Sequence, residues 1–189
     1  MSYAHTLSER EARELLRIAR STLREYLRSG LVPPGKPHRE TMLAPAAVIA
    51  TLWRDGRIRG RMRTEADTAL YRSVQDAVVG AAAGRARRPP VSSDEIDRIR
   101  IEVAVLGPRE VASGPEHVAI GTHGIAIAHE GASALLLPYV AVDDALDAEA
   151  FLARACQEAG LEAGEWRDPR ARLEIFTAQV FREGEPGAA

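Results

Sequence analysis

Cysteine is nearly missing from this chain of 189 residues. Cys156 stands alone, so no intrachain disulfide can form and a reducing cytosol is the natural compartment. Lysine is as scarce: Lys36 is the single one, and arginine supplies the remaining basic charge. That bias reflects a GC-rich genome more often than a function. Aromatic residues make up 5% and are not interleaved with the basic ones, which counts against stacking on nucleic-acid bases. No run approaches the ~18 apolar residues of a membrane span. Met1 to Arg17 has interleaved charges and no apolar signal core. A phosphate loop, a dinucleotide fingerprint, a Ser-His-Asp order and a paired-cysteine metal motif are all missing. The expectation is a soluble, cytoplasmic protein with no membrane association, cofactor or metal.

What is present is ordinary for a globular chain: 46% apolar residues, 28% charged and a net charge of −2. The pI near 6.2 argues against wholesale binding to nucleic acid, although a local basic patch remains open. The length suits one domain, or one domain with a small subdomain.

Ser8 to Arg28 reads as a helix, with a Ser8/Glu11 capping box, Gly30 as its stop, and an apolar stripe of Ala12, Leu15, Leu16, Ala19, Leu23, Tyr26 and Leu27. The proline-rich stretch from Val32 to Pro45 reads as loop. Ala46 to Trp53 and Arg57 to Arg63 flank Asp55-Gly56 and predict a hairpin. A second helix is expected over Asp67 to Ala83, with Ala66, Leu70, Val74, Ala77, Val78 and Ala81 inward. Arg98 to Leu106 alternates as a half-buried strand with Ile99, Ile101, Val103 and Val105 on one side. Another hairpin is expected from His117–Ile120 and Ile125–His129 around Gly121-Thr122-His123-Gly124. A strand carrying Pro138 follows over Ala134 to Ala141. Asp147 caps a helix through Ala159, Gly160 ends it, and Leu173 to Arg182 is the last strand. The order lacks regular strand-helix alternation, so the class is α+β, with a mainly antiparallel sheet flanked by helices. One domain ordered over about residues 7–183 is expected, with a frayed tail beginning around Glu183.

In an extended strand residues two apart share a face, so Arg57, Arg59, Arg61 and Arg63 are expected to line one side over roughly 20 Å, and Ile58, Gly60 and Met62 to meet the core. Guanidinium groups bind phosphate or carboxylate well. Two readings stand: an anion- or nucleotide-binding face, or a solvated face paired with nearby carboxylates. Arg85, Arg87 and Arg88 extend such a patch if the second helix ends beside the strand. Histidines 117, 123 and 129 invite a metal, but a hairpin tip at His123 lies roughly 15–20 Å from its open end, and zinc ligands must converge within about 2.1 Å. His123 is a candidate groove residue, or else bonds backbone groups in its own turn. Cys156 falls at core spacing from Phe151 and Leu152 and reads as a buried structural thiol. Glu102 reads as a salt-bridge partner before a general base. Trp53 and Trp166 read as core or groove-wall residues.

Six segments, in order, resemble the AMMECR family: the first helix from Leu7-Ser8; Pro89-Pro90-Val91-Ser92 with Ile101-Glu102-Val103-Ala104-Val105-Leu106; Gly121-Thr122-His123-Gly124-Ile125; Leu136-Leu137-Pro138-Tyr139-Val140-Ala141; Phe151-Leu152 through Leu161 with Trp166; and Phe176 with Val180-Phe181-Arg182-Glu183. The segment Ile58-Arg59-Gly60-Arg61-Met62-Arg63 resembles the family's Leu-Arg-Gly-Cys-Ile-Gly, with Arg61 at the position of its Cys and Arg63 at that of its last Gly. The resemblance implies an α+β fold with a larger and a smaller subdomain and a groove between them, and an unsettled activity. It also implies association with Memo-like and radical-SAM proteins in a modification system. In ordinary members an Arg beside the Cys would favour the thiolate; here that chemistry is lost. The expected function is therefore a non-thiol accessory or binding protein taking an anionic small molecule or a protein partner, with Arg59, Arg61, Arg63 and His123 as ligand-binding candidates. The alternative is an enzyme independent of the family Cys, using His123 and Arg59 with Glu102 as a further catalytic candidate. A nucleic-acid binder is the third reading.

Overall fold

The computed structural model describes residues 6–84 and 89–184. The elements run in chain order: helix α1 (Glu9–Ser29), strands β1 (Ala47–Arg54) and β2 (Arg57–Arg63), helix α2 (Leu70–Ala82), strands β3 (Ile99–Val111), β4 (Gly124–His129) and β5 (Ala132–Leu136), helices α3 (Pro138–Asp143) and α4 (Ala148–Ala159), and strand β6 (Arg172–Arg182). Their hydrogen-bonded order is β2-β1-β3-β6-β4-β5, so the fold is α+β with an antiparallel sheet. The chain forms two compact units. The larger comprises the chain up to Leu106 and again from Gln179, and the smaller is Gly107–Ala178.

The larger unit buries one face of β1 and β3 under α1 and α2. Val48, Ala50 and Leu52 of β1 and Ile99, Ile101, Val103 and Val105 of β3 meet Leu15, Leu16, Ala19 and Leu23 of α1 and Val74, Ala77 and Val78 of α2. The α1 stripe follows its 3.6-residue period. Its Ser8–Glu11 capping box is formed, and Gly30 ends it at φ 74°. The smaller unit packs α4 on β4, β5 and β6 around Phe151, Leu152, Ile125, Ile127, Leu173 and Ile175, with Cys156 fully buried among them. Asp147 caps α4 by accepting the Ala150 N–H at 2.8 Å.

Several expectations need correction. The second helix starts at Leu70, because Ala69 is extended and bridges Pro45; Ala66 is exposed in the turn before it. The alternation of 98–106 is not half-buried: Glu102 and Ala104 are covered as thoroughly as the apolar side, and the strand continues to Val111. His117–Ile120 is not a strand. Residues 115–117 form a short 3-10 turn, and β4 pairs instead with β5 through Glu130 and Gly131, at φ 50° and 85°. Positive φ at both central residues is what a two-residue hairpin turn of type I′ requires. The strand expected over 134–141 ends at Leu136, and Pro138 opens α3, where its fixed φ and missing N–H cost nothing. Glu183 is not frayed: its carboxylate takes Arg20 and the Ile101 N–H (2.8 Å), and its own N–H reaches the Ile101 carbonyl at 3.0 Å.

Candidate functional site

Asp55 and Gly56 turn the chain at φ 52° and 74°, and β2 returns along β1. The register then slips. Ile58 lies opposite Trp53 while Gly60 lies opposite Leu52, which leaves Arg59 as an extra residue in a β-bulge. Directly opposed residues share a face, so the four arginines do not line one side. Arg61 and Arg63 stand opposite Thr51 and Ile49, whereas Arg57 stands opposite Arg54 on the other phase of β1. Gly60 and Met62 face α2 as expected: a Cβ on Gly60 would lie 2.0 Å from the Ala81 carbonyl oxygen.

The bulge commits Arg59 to the scaffold. Its Nε and one terminal nitrogen donate to the two oxygens of Glu95, each at 2.8 Å, and its terminal nitrogens also donate to the carbonyls of Pro89 (3.0 Å) and Pro90 (2.9 Å). Four of its five N–H donors are thereby engaged. Glu95 also receives Arg54 and the Ser92 N–H. Arg59 foremost, then the Ser92 N–H and Arg54, hold its carboxyl far below the ordinary range against the opposing effect of burial.

Downstream of the bulge a polar row crosses three strands. Arg61 on β2, Thr51 on β1 and Glu102 on β3 are register partners. The Arg61 Nε donates to the Thr51 hydroxyl at 3.0 Å. Glu102, 1% exposed, accepts from the Arg182 Nε at 2.7 Å, as the salt-bridge reading anticipated. Thr51 is fully buried and Arg61 half-buried. Arg63 pairs with Glu65 at the surface. The expected extension through Arg85, Arg87 and Arg88 lies outside the described residues.

His123 belongs to the smaller unit. Its Nδ1 lies 3.2 Å from the Ala119 N–H and 3.0 Å from the His117 carbonyl, so the ring bonds its own turn, accepting from one or donating to the other according to tautomer. Gly124, next along, is required by close approach: a Cβ there would lie 2.5 Å from the Phe176 ring and 2.6 Å from the Leu136 carbonyl oxygen. His129 is buried near Glu165 and Asp168. Burial also pushes the Cys156 thiol up, consistent with a packing role. Trp166 is buried in the smaller core under the Arg167 guanidinium, while Trp53 is half-buried. Among the described residues no helix is long and apolar enough to cross a membrane.

Sequence reasoning missed Thr51 and Arg182 as members of the polar row. Arg182 and Glu102 are 80 positions apart, and only the strand order joins them. A hydroxyl in an otherwise apolar run, Val48 to Trp53, was the available signal for Thr51.

The antiparallel α+β sheet and the two units define a small domain of one recognisable class. The AMMECR1 family pattern matches residues 16–181, and the chain belongs to that family. It is 36% identical over 193 residues to a protein of Methanothermobacter thermautotrophicus, covering 97% of this chain and 99% of that one. A protein of Methanopyrus kandleri is likewise 36% identical over 190 residues, covering 95% and 92%. The crystal structure of an uncharacterized protein from Pyrococcus horikoshii superposes with a TM-score of 0.85 at 31% identity, covering 94% of each chain.

Proposed function

We propose that this AMMECR1-family protein is a cytoplasmic, non-thiol binding protein. It takes an anionic small molecule, or an anionic group of a protein partner, on the face of β2 that carries Arg61 and Arg63. The observation that carries the reading is the occupant of the position where the resemblance places the family's Cys. Arg61 stands there half-buried, oriented by the Thr51 hydroxyl beside the Glu102–Arg182 pair. Arg61 and Arg182 supply the guanidinium groups of the row, and a planar guanidinium oriented at its Nε suits bidentate recognition of phosphate or carboxylate. Arg59 buttresses the strand in this scheme, and His123 shapes its own turn. The resemblance supports an accessory place beside Memo-like and radical-SAM proteins, with no turnover of its own.

A thermal-shift screen against nucleotides, phosphorylated metabolites and S-adenosylmethionine tests the reading. A true ligand at a hundredfold excess over Kd stabilises by about 2.7 kcal/mol. The rise should vanish in Arg61→Ala and persist in Arg59→Lys. A shift indifferent to Arg61, or none with any anion, would sink the proposed face.

A further inference from the structure

Four of the six buried side-chain polar atoms without a hydrogen-bond partner among the described residues lie in one place: both ring nitrogens of His129, Oε2 of Glu165 and Nε1 of Trp166. His129 closes β4 and is 5% exposed. Its Nδ1 faces Glu165 Oε2 at 3.6 Å and its Nε2 faces Asp168 Oδ2 at 3.6 Å, within ion-pairing range but beyond hydrogen-bond length. A neutral imidazole has one N–H and one lone pair. Placed between two carboxylates it would aim that lone pair at an anion in a buried site, which is unfavourable. Only the imidazolium presents an N–H to each side, and two flanking anions offset the cost of burying its charge.

The surroundings sharpen this assignment. Arg170 spans Asp168 and Glu130, and its hydrogen bonds hold the Asp168 carboxyl down to about 2, so Asp168 stays an anion through the whole range in which imidazoles titrate. On the adjacent β6, Arg172 pairs with Glu174. The Cys156 thiol of α4 lies near Glu165 and is itself pushed up by burial. Glu165 and Asp168 bracket Trp166, whose ring seals the smaller core and carries Arg167 at 3.9 Å on its face. We propose that His129, as a doubly protonated ring, latches the 165–168 segment onto the end of β4, and that loss of its proton releases the segment and uncovers Trp166.

The sign follows from the charges. The latch is closed at the acid end of the imidazole range and opens as pH rises, because the neutral ring can satisfy one carboxylate only. A Trp53→Phe background leaves Trp166 as the sole tryptophan. Acrylamide quenching of Trp166 between about pH 5 and about pH 8 should increase with pH. Amide-exchange protection over 165–168 should fall by about tenfold across the same range, the scale expected for losing a charged contact. The smaller unit also holds His117 and His123, so the comparison with His129→Gln assigns the effect: that variant should be quenched strongly at every pH. A pH-independent profile in the background protein, or the same profile in His129→Gln, would overturn the latch. Should His129→Gln fail to fold, nitrogen-15 histidine spectra of the unaltered chain decide: both His129 ring nitrogens protonated at the acid end supports the latch, and a neutral ring there overturns it.

Discussion

Replacing Arg59 by alanine removes two bonds to Glu95 and two to the Pro89 and Pro90 carbonyls, from a side chain only 16% exposed. Stripping one partner from a fully buried ion pair costs ~3–5 kcal/mol. Glu95 would keep Arg54 and the Ser92 N–H, so the lower end applies and the loss should be about 3 kcal/mol. For a chain of this size that lowers the Tm by about 6–12 °C. Urea denaturation at neutral pH reads the free energy, and a double-mutant cycle with Glu95→Gln isolates the pair, with an expected coupling of about 2 kcal/mol. The same pair has a pH signature. Because the Glu95 carboxyl is depressed in the folded protein, its contribution is complete above its unfolded value near 4.5 and is lost as pH falls below it. The stability gap between the natural protein and Glu95→Gln should therefore be constant at neutral pH and shrink on acidification. A loss under about 1 kcal/mol for Arg59→Ala, or a gap that widens in acid, would refute the assignment of Arg59 to the scaffold.

Gly60→Ala should destabilise by about 3 kcal/mol, since its Cβ would meet a helix backbone oxygen that cannot step aside; urea titration would show it, and a neutral result would mean the β2–α2 contact is looser than described. Cys156 should resist an aromatic disulfide reagent in the native protein and react at once in denaturant, because burial both hides the thiol and disfavours the thiolate; rapid native labelling would contradict its place in the core. Glu183→Ala should cost about 2 kcal/mol through the loss of Arg20 and the Ile101 N–H, measured by thermal unfolding, whereas a frayed residue would cost nothing.

The elements most legible in the sequence were those set by local chemistry. Ser8 with Glu11, Asp147 with Gly160, and Asp55-Gly56 each specify a boundary through hydrogen bonds or φ values confined to a few neighbours. Where distant residues decided the outcome, periodicity misled. Ala104 and Glu102 are buried because other strands and side chains cover them, which alternation cannot report. His117–Ile120 has strand-like composition, yet β4 found its partner through Glu130-Gly131, a turn pair with weaker sequence character than Asn-Gly. The candidate site divided the same way. Glu102 was recognisable as a charge needing a partner, but Arg182 as that partner was not. A one-residue bulge sufficed to separate Arg59 from Arg61 and undo a face drawn by counting in twos.

The larger unit is assembled from two stretches of chain separated by all of the smaller one. Its closing contacts are made by residues that follow the smaller unit: Gln179 accepts the Leu7 N–H at 2.7 Å, and Glu183 fastens Arg20 and Ile101. On the ribosome the first hundred residues thus wait, with a hydrophobic sheet face begun and one strand missing, until the whole of the smaller unit and the residues after it have been made. The inserted segment Gly107–Ala178 is continuous and can close on itself meanwhile. A nascent chain stalled between these points would expose an unfinished sheet edge, which makes residues 179–183 a quality checkpoint for the helix and strands made before the smaller unit.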